Sequence, residues 1–269
     1  MSQPSAHSLT DRQYVDRLKQ LLQIDRVSDF DQLVRTAKFD GRRTIGELNR
    51  LYKSYRGSTI LMDSVRHGCN NIVKYCISAG LDVNESDTHG ETPLHFATAI
   101  GKEWPVTALM DNNAHLEPKD GNVTPLFVAV RTANAALVQL LLSAGAAPDG
   151  GRREGHYTPL QQALRLDQWN RSRVGIVKAL LYAGADPNVG NFLPLESSLN
   201  MHLLPTFSSE LLNAGAKLDL LPSHCIKTLE WRATTSDQAW GREEAMEKLR
   251  IIERYRTAAS IPRSLEVHV

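Results

Sequence analysis

Residues that could perform acid–base, nucleophilic or metal chemistry occur throughout the chain, but they form no catalytic motif. The nine histidines and three cysteines include neither a His-Glu-x-x-His nor a Cys-x-x-Cys pattern. The glycine-rich segment 145–155 lacks the Gly-x-Gly-x-x-Gly spacing, and no Lys-Ser or Lys-Thr pair directly follows it to complete a phosphate-binding loop. No Gly-x-Ser-x-Gly sequence is present to place a serine nucleophile. We therefore expect a protein that is not an enzyme, with no catalytic residues, no metal site and no cofactor.

The three cysteines point to a reducing environment. Cys69, Cys76 and Cys225 are too few for a disulfide framework, so we expect reduced thiols. A buried pair on one helix face explains the spacing of Cys69 and Cys76 better than a metal site does. The first residues have no basic segment followed by an apolar one, and no apolar run is long enough to cross a membrane. We expect a cytoplasmic protein, with the nucleus as the alternative, and no membrane partner.

The charge balance bears on the class of partner. Lysine and arginine together number 31, and aspartate and glutamate 30, which gives a formal net charge of +1. A dedicated nucleic-acid binder would usually be strongly basic, so we expect no nucleic-acid partner. Hydrophobic residues make up 42% of the chain and charged residues 23%, a composition typical of a folded protein rather than a disordered one.

Two sequence anchors recur along the chain at nearly constant spacing. The first is a Thr-Pro-Leu-like tripeptide that begins, in successive copies, at Thr59, Thr92, Thr124, Thr158 and Leu193. These positions are separated by 33, 32, 34 and 35 residues. The second anchor is a turn residue, found at Gly80, Asn113, Gly145, Gly184 and Gly215. Two independent markers with nearly the same period indicate a chain built from structural repeats.

Each repeat has the signals of two short helices. Thr92 can accept a hydrogen bond from a backbone N–H as the N-cap, and Pro93 fits the first helical position. Gly101 can end this helix in a left-handed conformation. A second helix follows with apolar residues four apart, as in the segment 137–142, and the turn residue ends it. The polar connection to the next unit, such as 83–90, predicts a loop or hairpin.

The segment Thr92-Pro93-Leu94-His95-Phe96-Ala97 resembles the signature of ankyrin repeats, and residues 79–84 and 183–188 resemble the Gly-Ala-Asp-x-Asn segment of the same family. The resemblance covers residues 58–219 and implies an all-α fold, an ankyrin-repeat solenoid with capping helices at both ends. The fourth unit departs from the pattern by an insertion around residues 167–173. The five repeats implied by the resemblance span residues 58–90, 91–122, 123–156, 157–190 and 191–219.

Amphipathic segments flank the repeats on both sides. Before the repeats, the pattern predicts one helix that is capped by Ser8 or Thr10 and runs through about Gln23, a second beginning near Ser28, and a third beginning at Thr44. After the repeats, residues 224–232 and 242–256 have the pattern of a helix pair. A stack of repeats exposes apolar surface at each end, and end helices can cover it. We therefore interpret the flanks and the tail as a 1–57 N-terminal helical cap, a 220–258 C-terminal capping helix pair and a 259–269 tail.

The resemblance also implies where a partner binds. In ankyrin repeats the partner usually meets the hairpin tips and the exposed end of the first helix, and the remaining positions are used for stacking. Carried onto this sequence, the partner-binding residues are Arg66, His67, His89, Glu91, Ile100, Arg131, Tyr157, Arg165, Leu166, Trp169, Phe192 and Met201.

Three arginines, Arg66, Arg131 and Arg165, occupy the same register in their repeats, beside apolar residues. This pattern suits a partner with carboxylates and apolar side chains. The alternative is that the arginines form an ordinary solvated face. Trp169, in the insertion, is either an exposed anchor for a partner or a side chain that folds back over the repeats.

The expected function is that of a non-enzymatic protein–protein interaction module, a scaffold or adaptor that binds an unidentified protein through the concave face and the hairpin tips. The alternative is a regulatory or effector protein whose flanking helices or tail add a second activity, such as ubiquitin-ligase recruitment. Residues 261–265 favour this alternative because they resemble the opening of a SOCS box. The sequence is compatible with a monomer.

Overall fold

All regular secondary structure in the part of the chain that the structure describes is helical. A computed structural model describes residues 9–39, 44–118, 123–151, 157–167, 171–190, 193–200, 205–235 and 239–260, and no strand occurs among them. The chain forms two compact units, Met1–Val128 and Ala129–Val269. Within the described ranges, no helix is both long enough and apolar enough to cross a membrane.

Three helices precede the repeats: α1 (Asp11–Leu21), α2 (Val27–Phe39) and α3 (Ile45–Arg56). Both α1 and α3 begin with a capping box, in which Thr10 or Thr44 accepts a hydrogen bond from the amide three residues on. The side chain of that third residue accepts a bond from the threonine N–H in return. The start at Thr44 confirms the position expected from the sequence, and Thr10 is the residue that caps α1.

Two complete helix pairs follow in the first unit. They are α4 (Ile60–Arg66) with α5 (Asn70–Ser78), and α6 (Pro93–Ile100) with α7 (Glu103–Met110). The helices of each pair pack on each other, and α4 also packs on α6. The N-terminal helices join this stack because α2 packs on α5 and α3 packs on α4. The next helix, α8 (Pro125–Arg131), contains the boundary between the two units.

The second unit continues with helices of the same two kinds. They are α9 (Ala135–Ser143), α10 (Pro159–Leu164), α11 (Ser172–Tyr182), α12 (Pro194–Asn200) and α13 (Pro205–Asn213). Helix α11 packs against both α9 and α13, and α10 packs on α12. Two longer helices end this unit, α14 (Ser223–Thr235) and α15 (Ala239–Ser260). They pack on each other, and they contact the repeats through α12 and α13, respectively.

The turn residues that close the second helices have the backbone conformation that the sequence predicts. All five have a positive φ, which a residue with a bulky side chain adopts only at a cost. The φ values are 79° at Gly80, 63° at Asn113, 92° at Gly145, 90° at Gly184 and 92° at Gly215. Asparagine tolerates this region better than most other non-glycine residues do, which explains its presence in the second repeat.

A buried polar contact joins α3 to the first repeat. The Tyr52 hydroxyl donates a hydrogen bond to Oδ2 of Asp63 over 2.8 Å, and both residues are almost completely inaccessible to solvent. Burial, together with the Asp63 carboxylate, raises the pKa of Tyr52 above its usual value, so the hydroxyl keeps its proton. One turn earlier in α3, Asn49 accepts a hydrogen bond from the backbone N–H of Ile60 over 2.9 Å. The first repeat is therefore bonded to its preceding helix by buried side chains.

Candidate protein-binding surface

The first helices of the repeats place their last residues at equivalent positions. Helix α4 ends at Arg66, α6 at Ile100 and α8 at Arg131, and Arg165 directly follows the end of α10. The start of each helix fixes this position, since Thr59 and Thr158 begin α4 and α10 with capping boxes. The sequence therefore predicts correctly that these residues occupy the helix ends.

In the first unit, three of the predicted residues lie around one shallow depression. Arg66, His89 and Glu91 line a volume of about 450 Å³ together with Arg56, Gly57, Ser58, Asp87 and Thr88. Asp87 holds the hairpin in place, because its Oδ1 accepts hydrogen bonds from the backbone N–H groups of His89 and Glu91, over 2.8 and 2.9 Å. This depression carries both signs of charge, so it is not a simple cationic site.

The side chain of Arg66 is held from two sides. Its guanidinium carbon lies 4.5 Å from the centre of the Phe96 ring, and its Nη1 lies 3.2 Å from Oδ1 of the buried Asp63. The side chain remains 46% exposed. Arg66 is therefore fixed in direction and partly neutralised, which weakens the case for it as a contact to an acidic partner. His67, next to Arg66 in the chain, is exposed, and Ile100, at the end of α6, is half-buried.

The second unit presents a clearer cationic and aromatic combination. Arg131 and Arg165 are both exposed, and no ion pair is formed by either within the described residues. The guanidinium carbon of Arg165 lies 4.6 Å from the centre of the Tyr157 ring, a distance typical of a cation–π contact. Tyr157 and Leu166 are half-buried beside it. The structure thus brings Tyr157 and Arg165 together as a preformed pair.

Three of the predicted partner-binding residues, Trp169, Phe192 and Met201, lie outside the described residues. Arg173, four positions after Trp169 in the chain, is only 4% exposed. Its guanidinium donates a 2.5 Å hydrogen bond to the backbone carbonyl of Leu164 and lies 5.1 Å from the centre of the Phe207 ring. The Arg173 side chain therefore joins α10, α11 and α13.

The signature histidine has a structural role in the fold. The Nδ1 atom of His95 accepts a hydrogen bond from the backbone N–H of Thr92 over 2.9 Å, and its Nε2–H donates to the carbonyl of Val123 over 2.7 Å. Burial lowers the pKa of His95, although the bond to Val123 and the carboxylates of Glu91 and Asp87 oppose that shift. With both ring nitrogens engaged by backbone, His95 is held as a neutral connector rather than as a general base.

Comparison with known families and proteins identifies related chains. The family model for ankyrin repeats (3 copies) matches residues 16–120 and 106–191. Zygote-specific protein 3 of Chlamydomonas reinhardtii is 38% identical over 76 residues, which are 28% of this chain and 20% of that protein. NF-kappa-B inhibitor zeta of Homo sapiens is 26% identical over 178 residues, 60% of this chain and 23% of that protein. The chain thus spans less than a quarter of the length of either relative.

Solved structures of similar fold cover most of the chain. The ankyrin repeat domain of Bcl-3 superposes with a TM-score of 0.66 at 25% identity, over 87% of this chain and 97% of that one. An ankyrin repeat domain from Acinetobacter baumannii gives a TM-score of 0.62 at 25% identity, over 74% of this chain and 98% of that one. These similarities confirm the fold class expected from the sequence. Repeats of this kind generally mediate protein–protein interactions.

Proposed function

The chain belongs to the ankyrin-repeat family, and we propose that it is a non-enzymatic interaction module, a scaffold or adaptor that binds one protein partner. The partner-binding surface consists of the first-helix ends and hairpin residues of the repeats. All three cysteines are buried thiols, which supports a reducing compartment, the cytoplasm or the nucleus. The flanks 1–57 and 220–258 act as caps, a role supported by the packing of α2 and α3 on the first repeat and of α14 and α15 on the last two helices of the repeats.

One observation carries the choice of surface and of partner chemistry. Arg131 and Arg165 occupy the same register in the second unit, both are exposed, and Arg165 lies over the ring of Tyr157. First helices of neighbouring repeats are usually about 8–10 Å apart, so two such arginines can contact carboxylates on one extended or helical segment. An aromatic ring under one of them adds an apolar contact. The partner that fits is an acidic segment with interspersed apolar side chains.

The chemistry of the two units differs at this surface. In the first unit, Arg66 is already paired with Asp63, and the adjacent depression contains Asp87 and Glu91. A carboxylate of a partner would there meet two acidic side chains as well as the arginine. The main acidic contacts are therefore assigned to Arg131 and Arg165, whereas His89 and Glu91 contact polar or basic groups of the partner.

The experiment that tests this function compares captured proteins between two double charge reversals. Immobilised wild-type protein, Arg131→Glu/Arg165→Glu and Lys227→Glu/Arg242→Glu are incubated with lysate from the native source, and bound proteins are quantified by mass spectrometry. Lys227 and Arg242 are exposed residues of α14 and α15, so the two variants differ from the wild type by the same charge. Circular dichroism melts confirm that all three baits are folded.

We expect a partner that is captured by the wild type and by the Lys227/Arg242 variant but lost from the Arg131/Arg165 variant. Reversal of two charges at the contact replaces attraction by repulsion, whereas the control reversal changes only the long-range field. Equal capture by all three baits would reject this surface. Equal loss from both variants would show that net charge, not the arranged arginines, governs binding.

A further inference from the structure

Three side chains that commonly bind metals converge between the last repeat and the C-terminal helices. Glu196 lies in α12, and His224 and Cys225 lie in the first turn of α14. The Nε2 atom of His224 is 3.8 Å from Oε1 of Glu196 and 3.7 Å from Sγ of Cys225. One ligand atom from each residue lies within 4.8 Å of the other two. This cluster is separate from the proposed partner-binding residues.

The distances approach those within the ligand shell of a zinc ion. With Zn–N and Zn–O bonds of about 2.0–2.1 Å and a Zn–S bond of about 2.3 Å, tetrahedral geometry places N and O about 3.3 Å apart and N and S about 3.6 Å apart. The distance from Nε2 of His224 to Sγ of Cys225 exceeds the tetrahedral value by about 0.1 Å, and the distance from Nε2 to Oε1 of Glu196 exceeds it by about 0.5 Å. The carboxylate oxygen and the sulfur lie within 4.8 Å of each other, so side-chain rotations would have to bring them closer for both to reach one ion. A thiolate, an imidazole and a carboxylate together favour zinc over magnesium or calcium, which prefer oxygen ligands alone.

The three residues differ in solvent exposure, and this difference leaves a path for a metal ion. Cys225 is completely buried, Glu196 is half-buried, and the side chain of His224 is 66% exposed. A metal ion can therefore enter beside the exposed imidazole and reach the buried thiol. Bound zinc with one thiolate, one carboxylate and one neutral imidazole gives a site of zero net charge, which lowers the cost of partial burial. The Cys225 proton leaves to solvent when the metal binds.

The sequence of the fifth repeat places a carboxylate where other repeats have a neutral side chain. Glu196 follows Leu193 by three residues, as His95 follows Thr92 and Gln161 follows Thr158. In those repeats, the third residue accepts a hydrogen bond from the N–H of the threonine. Helix α12 begins without a threonine, and its carboxylate lies beside His224 of α14. The fifth repeat therefore departs from the capping pattern at Glu196, the residue that lies beside His224 of α14.

We propose that Glu196, His224 and Cys225 bind a zinc ion, with a water molecule as the fourth ligand. Because α12 and α14 pack on each other, the ion links the last repeat to the C-terminal helix pair. This proposal differs from the expectation of no metal site that follows from sequence motifs. No short sequence motif indicates such a site, because the carboxylate is 28 positions away from the His-Cys pair in the chain.

Cobalt titration of the full-length protein tests the site, because Co²⁺ replaces Zn²⁺ and reports thiolate ligation by a sulfur-to-metal charge-transfer band. The protein is reduced with a phosphine that does not chelate metals, and its absorbance is followed while Co²⁺ is added. We expect one equivalent of Co²⁺ to produce the band and Zn²⁺ to abolish it by displacement. Zinc should also raise the unfolding temperature of the wild type, because it binds only the folded protein.

Variants assign the band to the three residues. Cys225→Ser should lose it, and Cys76→Ser, which alters an equally buried cysteine in the other unit, should keep it. Because Cys225→Ser could fail to fold, Glu196→Gln and His224→Gln provide milder changes, and each should weaken Co²⁺ binding roughly tenfold or more. Absence of a charge-transfer band at saturating Co²⁺ would overturn the proposal. So would a band that survives Cys225→Ser, or unchanged binding in both of the milder variants.

Discussion

Replacement of His95 by glutamine should remove a pH-dependent part of the stability of the first unit. In the folded protein, Nδ1 of His95 must be unprotonated, because it accepts a hydrogen bond from the N–H of Thr92. Burial lowers the pKa of His95 below its value in the unfolded chain, about 6.5. The stabilisation that neutral His95 gives to the folded protein is therefore complete above pH 6.5. It is lost as the pH falls below that value, since the unfolded chain then binds a proton that the folded protein excludes.

The magnitude follows from the number of protons involved. Between the unfolded and the folded pKa values of a single group, the free energy of unfolding changes by at most about 1.4 kcal/mol per pH unit. Glutamine can preserve the cap, since Oε1 of Gln161 accepts a 3.0 Å bond from Thr158 N–H in the fourth repeat. The His95→Gln variant loses the hydrogen bond from Nε2 of His95 to the carbonyl of Val123. This loss should lower the free energy of unfolding by about 0.5–1.5 kcal/mol at all pH values.

Urea unfolding followed by circular dichroism, at pH 8, 6.5, 5.5 and 5, measures this difference between wild type and His95→Gln. We expect the variant to be less stable at pH 8 and the gap to shrink or reverse by pH 5. His67→Gln, a change at an exposed histidine in the same unit, is the matched control and should leave the pH dependence of the wild type intact. A gap between wild type and His95→Gln that stays constant with pH would refute the requirement for a neutral His95.

Two further substitutions test contacts of the repeats with their neighbours. The side chain of Asn188 donates a hydrogen bond to the carbonyl of Gly215 over 3.0 Å and accepts one from the backbone N–H of Lys217 over 2.8 Å. Asn188→Ala removes both bonds and should lower the free energy of unfolding by about 1–3 kcal/mol. An unchanged midpoint of urea unfolding in Asn188→Ala would show that these two hydrogen bonds do not stabilise the protein. Tyr52→Phe leaves the buried Asp63 without its hydroxyl donor and should destabilise by a similar amount, whereas Tyr55→Phe at an exposed tyrosine should change the thermal midpoint little. Equal midpoints for the two variants would contradict the role of the Tyr52 contact.

Local signals in the sequence predicted the repeat structure well. Each turn residue and each threonine cap acts on its own backbone within a few residues, so its effect can be read from the chain directly. Gly184, for example, ends α11 in the left-handed region, and Thr158 begins α10 with a capping box. The C-terminal helix is longer than the apolar pattern of 242–256 indicates, because α15 runs from Ala239 to Ser260. The added residues, 239–241 and 257–260, are mostly small and do not continue the apolar spacing of the pattern.

Contacts between distant residues were not predictable in the same way. The cation–π contact of Arg66 with Phe96 joins two repeats, and nothing in either segment indicates the direction of the side chains. The ion pair of Arg66 with Asp63 is indicated by the sequence, since residues three apart on a helix are neighbours. Met246 belongs to the apolar pattern of 242–256 but is 40% exposed, because the helical period does not show how wide the covered stripe is.

The affinity of a captured partner for charge-reversed protein tests the proposed surface most directly. Isothermal titration would compare the wild type with Arg131→Glu/Arg165→Glu and with Lys227→Glu/Arg242→Glu. Loss of two charge contacts, each contributing about 1.4 kcal/mol or more, should raise the Kd of the first variant at least about 100-fold. The second variant should bind within a few-fold of the wild type. A Kd that is unchanged in the Arg131/Arg165 variant would contradict partner recognition by the first-helix ends of the second unit.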